Sequence, residues 1–171
     1  ASSASPDRAR GELPTAPAPR RRSERWATMS VVRRDDIHGI AVSHRDVAGA
    51  PRVVMVHGTM DRASSLRKVA RRLPDLDVTL YDRRGYGDSL GAGVAGTIDD
   101  HVDDLLDVMG DAPALVLGHS LGGIVALGAA TRRPDLVTGV VAYEAPVSWS
   151  SWWPRSTAGS RAVEEHADDP E

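Results

Sequence analysis

Cysteine is absent from the 171-residue sequence, which excludes disulfides, thiolate metal ligands and a cysteine nucleophile. Lysine is nearly absent as well, since Lys68 is the only lysine among 21 basic residues, a usage we attribute to codon bias. No apolar run approaches the roughly 18 residues of a transmembrane helix, and the N-terminal arginines are not followed by the apolar segment of a secretory signal. A net charge of −3 provides no basic field for nucleic acid or an anionic membrane. We therefore expect a soluble, cytoplasmic protein that binds neither.

The composition divides the chain into three segments. Residues 1–28 are rich in Ala, Pro, Ser and Arg and cannot bury enough apolar surface to offset the entropy of ordering, so we expect a disordered tail. Met29 is an alternative natural start, and the arginines at 20–22 are an alternative anion-binding arm. Residues 29–146 are predicted to form one α/β core, and residues 147–171 the start of a lid or cap.

Short apolar strands alternate with helices along the predicted core. Strands are predicted at residues 53–58, 77–82, 114–118 and 136–144, and helices at residues 64–73, from Thr97 to Gly110, and at residues 121–133. The last two strands are apolar on both faces, which is typical of strands buried inside a parallel sheet. This order predicts an α/β fold with a mostly parallel sheet and helices on both faces.

Two of these helices carry an apolar stripe that we expect to face the core. The stripe of the first consists of Leu66, Val69, Ala70 and Leu73, and Pro74 ends the helix. Thr97 is the predicted N-cap of the second, with two aspartates in its first turn. Its stripe consists of Ile98, Val102, Leu105, Leu106 and Met109.

A serine between two glycines follows the third predicted strand. Gly118-His119-Ser120-Leu121-Gly122 fits the pattern G-x-S-x-G, with a strand before it and a helix after it. Such a turn holds its serine in a strained conformation, and the flanking residues must be small to avoid clashes with the backbone. The free N–H groups at the start of the helix would stabilise an oxyanion, which makes Ser120 a candidate nucleophile. The alternative is a glycine-rich turn that binds phosphate.

At this point the sequence resembles the α/β-hydrolase superfamily. Four segments carry the resemblance in the expected order: "HGTM" (57–60), "DRRGYGDS" (82–89), "GHSLGG" (118–123) and "VAYEAP" (141–146). The first is similar to the family's oxyanion loop, the third to its nucleophile elbow and the fourth to the strand end before a lid. For "DRRGYGDS" we favour a structural turn with glycines at positive φ over direct catalysis.

The resemblance implies roles for several residues. Ser120 would be the nucleophile, and the backbone N–H groups of Leu121 and Thr59 would form the oxyanion hole, with Met60 as the alternative second donor. His57 would shape the oxyanion loop beside Gly58 and would not be the general base. A serine at the elbow implies acyl transfer, because family members that open epoxides or displace halide use a carboxylate there.

The catalytic acid is less clearly marked. In this family the acid and then the histidine follow the serine in the chain. Glu144 occupies a place from which some members supply the acid, and its alternative role is that of a lid-hinge residue. Asp82 and Asp88 precede the serine and are weaker candidates.

No histidine in the sequence is a good candidate for the base. His166 is the single histidine after the serine, and we expect an exposed position for it in an acidic segment. The side chain of His119 is expected to point away from the serine, and His101 to lie on an exposed or half-buried helix side. His38 and His44 are expected in the early strands.

These observations predict a serine-dependent hydrolase of a carboxylic ester or related small-molecule acyl substrate, using no metal or organic cofactor. Because the base and the usual acid are missing, we expect the chain to be an incomplete N-terminal part, inactive alone. The alternative is a non-catalytic binding protein of the same fold. Three tryptophans, Trp149, Trp152 and Trp153, would anchor a lid or pack against the rest of the domain.

Overall fold

The computed structural model describes residues 32–151, which form six strands, three α-helices and one 3₁₀ helix. The predicted tail at residues 1–28 and most of the predicted lid segment lie outside these residues. The strands are β1 (Val32–Ile37), β2 (Ile40–Arg45), β3 (Arg52–Val56), β4 (Asp77–Tyr81), β5 (Ala114–His119) and β6 (Val137–Tyr143). The helices are α1 (Ala63–Ala70), α2 (Ile98–Met109) and α3 (Leu121–Arg132), with the 3₁₀ helix at Gly87–Ala92.

The strands form one sheet in the order β1-β2-β4-β3-β5-β6. The four strands from β4 to β6 run parallel, with Val53 opposite Val78 on one side and Leu115 on the other. β1 and β2 add an antiparallel edge. β2 runs antiparallel to β4, and a tight turn at His38 and Gly39 reverses the chain between β1 and β2. The prediction of a mostly parallel α/β sheet is confirmed.

Helices cover both faces of the sheet, as predicted. On one face α2 and α3 pack against side chains of β2, β3 and β5, among them Val54, Val56 and Val116. On the other face α1 packs against β3 and β4 through Leu66 and Ala70. The carboxyl ends of β3, β4, β5 and β6 consequently meet at one edge of the sheet.

The helix boundaries follow local signals. Thr97 is the N-cap of α2 in a capping box, in which its side chain accepts from the Asp100 N–H and the Asp100 carboxylate accepts from the Thr97 N–H. The apolar stripes are only partly buried, because Val69 and Ile98 lie at the solvent side of their helices. For these two residues the prediction of a core position is wrong.

The prediction that the last strand is buried is also wrong. Of the β6 residues only Val137 is buried, whereas Val141 and Tyr143 are exposed, the latter by 59%. The physical reason is position: within residues 32–151, β6 is an edge strand that pairs only with β5. The apolar composition of β6 is therefore not matched by the burial of its side chains within residues 32–151.

Candidate active site

Ser120 lies in a strained turn between β5 and α3. Its φ of 50° and ψ of −122° fall in a region that L residues seldom adopt, as predicted for the nucleophile elbow. The Ser120 N–H donates to the Tyr143 carbonyl at 2.8 Å, and the Ser120 carbonyl accepts from the Gly123 N–H at 2.9 Å. These two bonds fix the turn to β6 and to the first turn of α3.

The glycines on either side of Ser120 permit a close approach of backbone segments. A Cβ on Gly118 would lie 2.2 Å from the Gly122 carbonyl oxygen, and a Cβ on Gly122 would lie 2.3 Å from the Val56 carbonyl oxygen. Side chains at these positions would therefore collide with backbone, which confirms the prediction that they must be small. As a result the first turn of α3 packs directly on the end of β3.

The loop after β3 lies beside the serine. A Cβ on Gly58 would meet the Ser120 Cβ at 3.0 Å and the His119 Nδ1 at 3.1 Å. Thr59 and Met60 are exposed, and Met60 has a positive φ of 54°. Within residues 32–151, neither the Thr59 N–H nor the Leu121 N–H donates a hydrogen bond. Both amides remain candidates for an oxyanion hole.

His57 is fully buried, and both of its ring nitrogens are hydrogen-bonded. Its Nε2 accepts from the Arg83 N–H at 2.9 Å, which places the ring proton on Nδ1, 2.8 Å from the Gly58 carbonyl oxygen. Burial lowers the pKa of His57, the bond to the Gly58 carbonyl opposes this, and the charge of Arg83 lowers the pKa further. A neutral imidazole in this environment supports the loop and has no nitrogen left for Ser120.

The "DRRGYGDS" segment folds as a structural turn. The Asp82 carboxylate accepts from the Ala63 N–H at 2.7 Å and from the Asp88 N–H at 2.9 Å. Gly85 and Gly87 have positive φ angles of 77° and 49°, as predicted. A Cβ on Gly87 would lie 2.3 Å from the Asp82 Oδ2, so the turn wraps tightly around this carboxylate. Asp82 is thereby engaged in joining the turn to α1.

Beside Ser120 in the chain, the His119 ring lies between two carboxylates, those of Asp61 and Glu144, and we call these three residues the rim. The His119 ring stacks on Tyr143, with its Nε2 3.8 Å from the Glu144 carboxylate and its Nδ1 4.0 Å from the Asp61 carboxylate. The expectation that the His119 side chain points away from the serine stays a prediction, since the described contacts of its ring are those with Tyr143, Glu144 and Asp61. Glu144 has a positive φ of 51° and a side chain that is 67% exposed.

Asp61 was not singled out by the sequence patterns. Partial burial raises the pKa of its carboxyl, but hydrogen bonds from the Arg62 N–H and the Ser65 hydroxyl outweigh this effect, so its pKa lies below the ordinary value. Asp61 is therefore a carboxylate at neutral pH. Its position directly after residues 57–60 is the only signal in the sequence that could have indicated it.

The remaining described histidines lie away from Ser120. His38 pairs with Asp107 in the exposed turn before β2, and His44 in β2 bonds to the Thr79 hydroxyl. His101 is buried, contrary to expectation, because its Nε2 accepts from the Arg83 guanidinium at 2.9 Å. Burial, and then the charge of Arg83, lower the pKa of His101 to about 4. His166 lies outside the described residues.

A cleft of about 380 Å³ opens at the same edge of the sheet, between the β1–β2 edge and α1. Arg34, Ser43, Arg62, Arg67 and Asp88 contribute to its lining, and neither the 57–60 loop nor the elbow does. It is thus separate from the serine.

Among the described residues no group of three or more histidines and carboxylates is arranged to hold a metal ion. Trp149 is 68% exposed, whereas Trp152 and Trp153 lie outside the described residues.

Comparison with known proteins agrees with this geometry. A family model described as serine aminopeptidase, S33 (Hydrolase_4), matches residues 50–163. The chain belongs to this family. It is accordingly a member of the α/β-hydrolase superfamily, and its sheet order and strand–turn–helix elbow are those of a partial α/β-hydrolase fold.

Several known proteins are similar to this family member. Lipase LipV of Mycobacterium tuberculosis is 35% identical over 116 residues, which are 66% of this chain and 43% of the lipase. A 2-(acetamidomethylene)succinate hydrolase of Mesorhizobium japonicum is 31% identical over 118 residues, covering 67% of this chain and 42% of that enzyme. The structure of an epoxide hydrolase from an endophytic Streptomyces superposes with a TM-score of 0.58 at 27% identity, covering 83% of this chain and 43% of that one.

The chain spans less than half of the length of these relatives. None of the helices in the described part of the chain is both long and apolar enough to cross a bilayer.

Proposed function

We propose that this chain is part of a serine hydrolase that acts on a carboxylic ester or a related small-molecule acyl substrate. The observation that carries the proposal is the backbone of Ser120. Its positive φ, between a parallel strand and a helix, is a strained conformation that must be stabilised by the surrounding contacts. Strain of this kind is typical of a residue whose side chain must stand clear of the sheet for chemistry.

The proposed reaction begins with attack of the Ser120 hydroxyl on the acyl carbon, forming an acyl-enzyme and releasing the alcohol. The negative charge on the tetrahedral oxygen would be stabilised by the N–H groups of Leu121 and Thr59. Support for this assignment comes from their positions on the two segments that meet at Ser120 and from the absence of an acceptor for either amide within residues 32–151. The chemistry needs a serine, a histidine, a carboxylate and backbone amides, and therefore no metal or organic cofactor.

The base is proposed to be a histidine outside residues 32–151, either His166 or one in the rest of the full-length protein. Support comes from the five described histidines. Both ring nitrogens of His57 are hydrogen-bonded to other groups, His119 is next to Ser120 in the chain, and the other three contact different parts of the fold. Glu144 remains the candidate acid. Its contact with His119 also fits the alternative of a hinge residue that links the end of β6 to the elbow.

The relatives' names support an acyl substrate in part. A lipase and a 2-(acetamidomethylene)succinate hydrolase both fit a serine at the elbow, whereas epoxide opening in this fold uses a carboxylate at that place. We therefore propose acyl transfer rather than the reaction named for the Streptomyces structure.

The second candidate is a binding protein that keeps the fold without catalysis. The observation that favours it is the lack of any described histidine placed to activate Ser120. The two functions differ in the reactivity of one hydroxyl, because only a base-activated serine attacks phosphorus rapidly.

The test is covalent labelling of the full-length protein by a fluorophosphonate, with the modified peptide identified by mass spectrometry. We expect one label per chain on Ser120 and none in Ser120→Ala. The matched control is Ser64→Ala, which removes an exposed hydroxyl from α1 and should label like the wild type. Absence of label from the folded wild-type protein would contradict the enzyme and favour the binding protein.

A further inference from the structure

Arg83 is a buried cation that the chemistry above does not use. Its side chain is fully buried, and no carboxylate pairs with it in the part of the chain that the structure describes. Burying a guanidinium without an ion pair is costly, so its remaining contacts must hold it strongly. One amino group donates to the Gly58 carbonyl at 2.8 Å, the other donates to His101 at 2.9 Å, and the Arg83 Cζ lies 4.6 Å from the Tyr86 ring centre.

The contact with Gly58 bears on the adjacent amide. The Gly58 carbonyl and the Thr59 N–H belong to one peptide group, which is planar and trans, so the two bonds point in opposite directions. Two donors hold the carbonyl: the Arg83 guanidinium and the His57 Nδ1–H, both at 2.8 Å. Because the carbonyl is held toward the interior, the Thr59 N–H must point to the open side of the loop.

We propose that Arg83 is a positioning residue that orients and polarises the Gly58–Thr59 peptide as the second donor of the oxyanion hole. The inference rests on the proposed function, because it concerns the same site. Two donors on one carbonyl withdraw electron density from the amide and strengthen its N–H as a donor. The fixed positive charge behind the peptide also favours negative charge in front of it, without reorganisation during the reaction.

The first test measures the peptide directly and needs no activity. In a ¹⁵N–¹H spectrum of the folded chain, loss of the hydrogen bonds to the Gly58 carbonyl should move the Thr59 ¹⁵N resonance upfield. We expect this shift in Arg83→Leu and a smaller one in Arg83→Lys, which retains the charge and one donor group. An unmoved or downfield Thr59 resonance in both variants would overturn the proposal. If Arg83→Leu does not fold, the Lys variant decides.

The matched control is Arg52→Leu. Like Arg83, Arg52 donates to the backbone, but its partners are the carbonyls of Met109, Ala112 and Val108 at the opposite end of β3. The Arg52→Leu variant should be less stable than the wild type, with an unchanged Thr59 resonance. A Thr59 shift of equal size in this control would mean that general destabilisation is sufficient, and would overturn the specific role.

The second test uses ester hydrolysis by the full-length protein. Loss of one oxyanion donor lowers kcat by about 100- to 1,000-fold in serine hydrolases, and a misoriented donor should cost less. We expect Arg83→Lys to lower kcat by about 10- to 100-fold with KM changed less than about threefold. Binding of a trifluoromethyl ketone should weaken in parallel with kcat. Equal losses in kcat for Arg52→Leu, or a change confined to KM, would refute the role.

Failure of the two proposals can be told apart. If Ser120 is not the nucleophile, the wild-type protein remains unlabelled by fluorophosphonate while the Thr59 shift still appears. If only the role of Arg83 is wrong, the wild-type serine is labelled and the Thr59 resonance does not move.

Discussion

Replacing Gly122 with alanine tests the packing that places the elbow on the sheet. The new Cβ would lie 2.3 Å from the Val56 carbonyl oxygen and 2.8 Å from the His57 carbonyl oxygen. Carbon atoms in good contact stay roughly 3.5 Å or more from their neighbours, so α3 must move away from β3 by about 1 Å. Both clashing atoms belong to the backbone, one in the last residue of β3 and the other in the residue directly after it, so no rotamer change can relieve the clash.

The expected net loss follows from two opposing effects. Overpacking of a tight interior costs about 1–3 kcal/mol, and this site belongs at the upper end. Alanine regains at most about 1 kcal/mol through its higher helix propensity. The free energy of unfolding should therefore fall by about 2 kcal/mol, and Tm should fall by about 4–8 °C for a chain of this size.

Urea unfolding followed by circular dichroism measures this loss. The control is Gly139→Ala in β6, where the Cβ would meet only the Leu115 side chain at an ordinary 3.8 Å. We expect the control to lie within about 0.5 kcal/mol of the wild type or to be slightly more stable. Wild-type stability in Gly122→Ala would refute the close approach of α3 to β3.

Two further predictions concern stability. Thr97→Ala removes the capping box of α2 and should lower the free energy of unfolding by about 1 kcal/mol in urea titrations. Thr97→Ser retains the hydroxyl and should stay close to the wild type. Equal free energies of unfolding for the two variants would contradict the capping role of Thr97. The pKa of His101 lies at about 4 in the folded chain and near 6.5 when unfolded, so its contribution to stability is complete above pH 6.5 and is lost as the pH falls toward 4. His101→Gln retains an acceptor for Arg83 but cannot be protonated. Between pH 7 and 5.5 the variant should therefore lose about 1 kcal/mol less free energy of unfolding than the wild type. The same pH dependence in both proteins would show that His101 is not buried in neutral form.

The elbow was predictable because its requirements are local. Gly118, Ser120 and Gly122 lie within five residues, and the close approach they permit is imposed by a strand that turns directly into a helix. Thr97 was predictable for the same reason, since the cap and its Asp100 partner are three residues apart.

Other features depend on neighbours that are distant in sequence. His101 and Arg83 carry charge or polarity that favours exposure, and their burial follows from a mutual hydrogen bond across two elements. Asp61, His119 and Glu144 come together from three separate places in the chain: the loop after β3, the end of β5 and the residue after β6. The exposure of β6 depends on which strands lie next to it, which a single strand's composition does not reveal.

The most direct test of the central claim is to trap the acyl-enzyme. The full-length protein is mixed with p-nitrophenyl acetate, quenched with acid within the first turnover and digested for mass spectrometry. The account predicts one acetyl group on the peptide that contains Ser120, and none in Ser120→Ala. The account would be contradicted if the protein hydrolysed the ester without acetylation of Ser120. The acetyl group would then be found on another residue or on none.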